Sequence, residues 1–439
     1  MPAAPARASL ASMVRVGLIG FGGGSALIPL MEDELVARRR ILDRATFSRH
    51  IVVASITPGA LPVKLGGLAG ITVGGAWLCL TMATLVSLPG TAATVGILSA
   101  VRSGGQGVIR YVELASVGIT VFIIALLVHY VGKVLTSEGS GWVVAAGIAT
   151  LSFLATGAAD AAEFIGHLLG QQWQLSVPRL TAVQLVASAL VIITLRAALR
   201  RGHPARLPAT GHDRGLGAGA VLRSTALLLG VAAGATAAAA LFGGKDALAL
   251  IALVALSTLT SFGGGEAYVG VADGFFVGGG HLSASAFYSQ VVPVANALPG
   301  PILVKIAAGV GFDATAPTRG ATAAWVVAAA GGLVAITVCT AVAVVVLGAY
   351  HRAQSSPVVR DIGLYILPVI CGLLITTSLS MLNAGAHVSI HTGIQPWLTL
   401  WLSVAAIVLV TWLRHRRSVH DAVLILLCGA TSLAAMAAA

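Results

Sequence analysis

The chain has 439 residues, of which 26 are Lys or Arg and 15 are Asp or Glu, for a formal net charge of +11. At 57% apolar and 9% charged residues, against roughly 25% charge in soluble domains, it cannot cover a water-facing surface, which excludes a soluble enzyme. The arginines cluster between apolar runs, as in the cytoplasmic loops of membrane proteins, and not on a folded face with interleaved aromatics, so nucleic acid is not an expected partner.

Taken in chain order, the N-terminal apolar run carries Arg15 and leads into Phe21, Gly22, Gly23 and Gly24, so it is expected to be retained and not cleaved as a signal. Arg38, Arg39, Arg40, Arg44 and Arg49 follow, then Pro58-Gly59 and Lys64. Long stretches contain no Asp, Glu, Lys or Arg, among them Leu65 to Val101, Gly139 to Ala159, Ser224 to Gly244, Gly320 to His351 and Ile362 to Leu413. Each holds the approximately 20 apolar residues needed to cross a hydrocarbon core, which predicts an all-α, polytopic integral membrane protein. Membrane lipid is then its immediate surroundings. Cys79, Cys339, Cys371 and Cys428 are isolated within apolar runs and read as packing, not as disulfides or metal ligands.

The chain repeats itself. An offset of 241 places Phe21, Gly22, Gly23 and Gly24 on Phe262, Gly263, Gly264 and Gly265, Pro58 and Gly59 on Pro299 and Gly300, and Lys64 on Lys305. Residues 21 to 70 give 15 identities without a gap; beyond them the repeat weakens, and Val108 and Arg110 match Val358 and Arg360 at an offset of 250. The expected organisation is a first transmembrane half, 1–195, a basic cytoplasmic linker, 196–223, and a second transmembrane half, 224–439, with roughly five or six apolar segments in each half. The loop after the first glycine triplet is rich in arginine and the matching loop, Asp273 to His281, has no Lys or Arg, which favours inverted repeats.

Lys64 and Lys305 lie in strongly apolar surroundings, where an ionisable group costs at least a few kcal/mol and marks a functional hypothesis. A single such lysine could snorkel or neutralise a carboxylate; two at one repeat position suit a small dianion. Pro58-Gly59 and Pro299-Gly300-Pro301 should break their helices, which a membrane tolerates where the freed backbone is buried in protein or lines a cavity. The two glycine triplets either pack helices closely or let bare backbone approach a ligand. Glu266, where the first half has Ser25, is read equally as a site for a coupling proton or as a static counter-ion to Lys305. Glu113 and His129 read as helix-end or packing residues, Asp160 and Glu163 as a loop edge, and His387 with His391 lack a third metal ligand. No catalytic motif is present, so no enzymatic activity and no cofactor is expected.

Two halves, each with an FGGG segment followed by a PG segment, resemble the chromate ion transporter family, in particular its long, two-domain members. Ser261-Phe262-Gly263-Gly264-Gly265-Glu266-Ala267-Tyr268 and Ala297-Leu298-Pro299-Gly300-Pro301 are its most typical stretches. The resemblance implies a multi-pass plasma-membrane transporter that expels chromate, a tetrahedral dianion like sulfate, and confers chromate resistance. The substrate-binding candidates are Lys64, Lys305, both glycine triplets, Pro58, Gly59, Pro299 and Gly300, with Glu266 for coupling and no metal. The partners are chromate or a sulfate-like oxyanion, with a coupling proton or a counter-anion as the driving ion; a homodimer is left open, and the competing reading is a transporter or channel for sulfate or another small anion. Ala60 stands where the second half has Pro301, and Gly270 where the first half has Pro29, so the half-sites need not be equal.

Overall fold

The computed structural model describes residues 3–20, 27–136, 141–169, 171, 180, 182–199, 217–261, 265–349, 357–390, 395–416 and 421–438. Most of the expected linker lies outside them, as do Gly22, Gly23, Gly24, Gly263, Gly264 and the side chains of Glu266, Glu113 and His387, together with His391. The described residues contain helices and no strand, as an all-α membrane protein requires.

The first part of the chain forms α1 (Ala3–Ile19), α2 (Leu27–Glu32), α3 (Arg44–Ile56), α4 (Leu61–Gly74), α5 (Ala76–Leu85) and α6 (Leu88–Ser103). Then come α7 (Gly105–Leu135), α8 (Trp142–Leu168), α9 (Ala182–Leu199), α10 (Ala218–Thr260) and α11 (Gly265–Ala272). Short α12 (Ala284–Ala286) and α13 (Val292–Ala297) precede α14 (Ile302–Gly348), α15 (Pro357–Ile390), α16 (Pro396–Arg416) and α17 (Asp421–Ala438). Among the described residues, five helices are long and apolar enough to cross a membrane, and the pair α5 and α6, bent by 45°, supplies a sixth if taken as one. Large apolar side chains such as Trp77, Trp142 and Leu241 are mostly exposed, a surface suited to lipid and not to water.

The chain folds as two compact units. Unit 1 combines Met1–Ala93, Ala187–Tyr268 and Pro299–Leu367; unit 2 combines Thr94–Val186, Val269–Leu298 and Pro368–Ala439. Each unit therefore takes segments from both sequence halves.

Within unit 1 the repeat is visible as two helical hairpins. Gly75 and Gly320 both take a positive φ, 83° and 81°, and reverse the chain. In the first hairpin a Cβ at Gly66 would meet the Met82 carbonyl oxygen at 3.1 Å, and one at Gly70 the Leu78 oxygen at 2.3 Å. In the second, a Cβ at Gly311 would meet the Val327 oxygen at 2.9 Å, and one at Gly331 the Ala307 oxygen at 2.8 Å. Small residues thus let antiparallel arms approach backbone to backbone, the usual packing device inside membranes. The first arm is α4, with 14 residues. Its counterpart runs from Ile302 to the break at Gly320, about one turn longer, and includes Pro317. That extra turn is why the sequence repeat fades after residue 70.

Other local devices recur within a residue of matching positions. A π-helical turn at Asp33–Arg38 follows α2, and one at Asp273–Val277 follows α11. Asp43 caps α3 by accepting from the Thr46 amide at 2.9 Å, and Ser283 caps α12 by accepting from the Ala286 amide at 3.1 Å. The Thr46 amide and hydroxyl both bond the Asp43 carboxylate, holding its pKa below the ordinary value.

In unit 2, α8 and α15 pack through glycine. A Cβ at Gly372 would stand 2.4 Å from the Ser152 Cβ and 2.6 Å from the Ala149 carbonyl oxygen; one at Gly157 would stand 2.3 Å from the Thr376 hydroxyl. Across this contact the Thr156 and Thr376 hydroxyls hydrogen-bond at 2.9 Å. Gly372→Leu must push the helices apart, an overpacking cost of about 1–3 kcal/mol. It is expected to lower the melting temperature of the purified protein, whereas Gly147→Leu, which has open space around it, is expected to leave it unchanged. Asp160 and Glu163, expected at a loop edge, instead lie inside α8, which continues to Leu168.

Candidate functional site

The two Pro-Gly segments break their helices as the sequence predicts. The chain leaves α3 at Ile56, turns through Pro58 and Gly59, and re-enters helix at Leu61. The matching turn lies between α13 and α14. Gly59 takes φ +98° and Gly300 φ +95°, values that only glycine adopts without strain.

Each turn is tied to the other half of the sequence. The Gly59 amide donates to the Ser261 carbonyl at 2.6 Å, and the Gly300 amide donates to the Gly20 carbonyl at 2.8 Å. Gly20 and Ser261 are themselves equivalent, each immediately preceding a Phe-Gly-Gly-Gly segment. One interaction is therefore made twice, reciprocally, as residues i and j exchange contacts in a two-fold interface. The break of each half is held by the residue that precedes the glycine segment of the other. Backbone amides at Gly59 and Gly300, which the sequence offers as anion donors, are engaged in this exchange. The amides of the first turns of α4 and α14 have no side-chain cap, and helix N-termini of this kind attract anions.

Lys64 and Lys305 each stand one turn inside the helix that follows the break, and both are fully enclosed, at 2% and 1% exposure. The Lys64 ammonium donates to the carbonyl oxygens of Ala54, at 2.6 Å, and Thr57. These acceptors end α3, whose last turn leaves carbonyls without intrahelical partners. Lys64 thus joins the end of one half-helix to the start of the next. The Lys305 stem packs on α6, with its Cδ 3.3 Å from where a Cβ on Gly90 would stand.

The surroundings of the two turns differ at one paired position. A Cβ on Gly59 would lie 2.2 Å from the Cys339 Cβ, and a Cβ on Gly90 would lie against the Pro299 carbonyl oxygen. Cys339 sits in the second hairpin and Gly90 in the first, 249 positions apart, close to the offset that the later part of the repeat shows. The first turn is therefore closed by a thiol side chain and the second by bare backbone. In sequence Cys339 is an isolated thiol in an apolar run; its place against Gly59 is visible only once the hairpins are aligned.

Comparison with known proteins agrees with this doubled architecture. The family model described as chromate transporter matches residues 8–258 and again 248–433. The chain belongs to the chromate transporter family. Two relatives from Bacillus subtilis, described as uncharacterized transporters YwrB and YwrA, are 28% identical over 139 residues and 30% identical over 141 residues. The matches cover 71% of YwrB and 32% of this chain, and 78% of YwrA and 31% of this chain. Each relative is thus less than half as long as this chain. No solved structure matches it. A multi-pass membrane transporter is the activity that the family and the apolar spans establish together.

Proposed function

We propose that the chain exports chromate across the plasma membrane and so confers chromate resistance, with sulfate and similar tetrahedral dianions as competing substrates. The observation that carries the reading is the pair of buried lysines at one repeat position, each just inside a helix that starts at a break. Two ammonium groups match a charge of minus two, and the uncapped amides nearby supply directional donors. The two halves are inverted repeats, with the site near the membrane midplane where the halves meet. Glu266, one residue into α11, is the proposed proton site.

Everted membrane vesicles containing the protein are expected to accumulate radiolabelled chromate, to do so faster with an imposed pH gradient, and to lose part of that uptake to unlabelled sulfate. Accumulation no faster than in vesicles lacking the protein overturns the proposal. Uptake of sulfate without chromate moves the substrate to the competing anion.

A further inference from the structure

Unit 2 contains a half-open cavity of about 530 Å³ whose chemistry is opposite to that of the lysines. Its described lining contains three acids and no Lys, Arg or His, so it repels an oxyanion and draws in positive charge. Three helix faces form most of it, and Tyr288 joins them from a π-helical segment, Phe287–Val291. From α8 come Thr156, Asp160 and Glu163, spaced four and three residues apart and so on one face. The α11 segment and its π-helical extension contribute Gly270 and Asp273. Gly270 is required there, because a Cβ would lie 2.9 Å from the Thr377 hydroxyl. From α15 come Ser380 and Asn383.

One buried polar atom at this cavity lacks a hydrogen-bond partner, and a buried hydroxyl lies beside it in the same lining. Asn383 is 4% exposed, and its Nδ2 donates to the Asp160 backbone carbonyl at 3.2 Å. That bond fixes the amide and leaves Oδ1, a buried acceptor, without a donor. Tyr288 is 3% exposed; its hydroxyl faces the Asp273 carboxylate and the Ser380 hydroxyl. Buried groups of this kind are costly to leave unsatisfied, and a bound ligand is one resolution.

We propose that this cavity binds a small, hard monovalent cation, Na⁺, through the Asn383 amide oxygen, the carboxylates of Asp160 and Asp273 and the Tyr288 hydroxyl. All of these are oxygen ligands, which suit alkali and alkaline-earth ions and not soft metals. Among the described residues no three His, Cys, Asp or Glu side chains come close enough to hold a metal ion together. A set with fewer charged ligands and neutral oxygens favours a monovalent ion over Ca²⁺ or Mg²⁺. The inference stands apart from the oxyanion reading, since it concerns other residues in the other unit.

The test uses the purified full-length protein in detergent, without sulfate or chromate, at fixed pH. NaCl is titrated against N-methyl-D-glucamine chloride at constant ionic strength while thermal unfolding is followed. A ligand that binds only the folded state raises the melting temperature in a saturable way, and this is expected for Na⁺. Asn383→Leu and Asp160→Asn are each expected to raise the half-saturating Na⁺ concentration by about tenfold or more. Ser380→Ala, a milder change at the same cavity, and saturable binding of radiolabelled Na⁺ to the unaltered protein provide a second route if either variant fails to fold. Equal melting in the two salts, a rise that needs Ca²⁺ or Mg²⁺, or unchanged Na⁺ dependence in folded variants overturns the proposal.

Discussion

Lys64→Gln is expected to remain folded in the membrane and to lose oxyanion transport. The amide of Gln keeps an N–H donor on a stem one atom shorter than that of Lys, so the Ala54 and Thr57 carbonyls that now receive the ammonium retain a partner within reach. What disappears is the charge. Removing one member of a buried charge pair costs about 3–5 kcal/mol, so a dianion facing one lysine where it had two should bind on the order of a hundredfold more weakly or worse. Lys64→Ala removes the cap as well as the charge, leaving buried acceptors unsatisfied at a further cost of about 1–3 kcal/mol; its melting temperature should fall where that of Lys64→Gln does not. Lys305→Gln should lose transport in the same way if the repeat positions are functionally equivalent. Vesicle transport and thermal melting on the same preparations separate the two roles. If Lys64→Gln transports chromate at the wild-type rate while Lys64→Ala melts early, Lys64 is a structural cap and the anion is held elsewhere.

The parts of this molecule that the sequence makes legible are those written in strong local chemistry. The Pro-Gly pairs at 58–59 and 299–300 each remove a backbone donor and introduce a residue free to reverse the chain, which favours a break, and the charge-free runs have one stable solution in lipid. The reciprocal bonds between Gly59 and Ser261 and between Gly300 and Gly20 were not legible, because backbone amides and carbonyls leave no trace in residue type. Nor was the continuation of the repeat: the extra turn before Gly320 shifts the register, and sequence comparison without a gap loses it. Asp160 and Glu163 differ from the sequence expectation for another reason. Acids close to a span's end usually mark water, and only the alignment of Thr156, Asp160 and Glu163 on one helix face, opposite Ser380 and Asn383, shows a polar interior. The period of that face is present in the sequence, but the end of the charge-free run at Ala159 masks it.

The two turns, alike in backbone, should respond unequally to the same substitution. Gly59 and Gly300 share a φ close to +95°, so alanine at either pays a similar conformational cost of about 1–3 kcal/mol. Only one of them has room. A Cβ on Gly300 would meet nothing closer than the Gly17 carbonyl oxygen at 3.6 Å, an ordinary contact, whereas one on Gly59 would fall 2.2 Å from the Cys339 Cβ. Forcing that pair apart adds an overpacking cost of about 1–3 kcal/mol and displaces the Gly59 amide from Ser261, which loosens the crossing between halves. Gly59→Ala is therefore expected to melt at a lower temperature than Gly300→Ala and to lose more transport. Cys339→Gly should restore part of the loss in Gly59→Ala and none in Gly300→Ala, since it clears the collision but cannot relieve the backbone strain. A double-mutant cycle reads this directly, because residues in contact give a coupling energy of about 0.5–3 kcal/mol while distant ones add. Equal losses at both glycines, with Cys339→Gly additive to each, would show that the thiol does not close the first turn and that the two half-sites are the same after all.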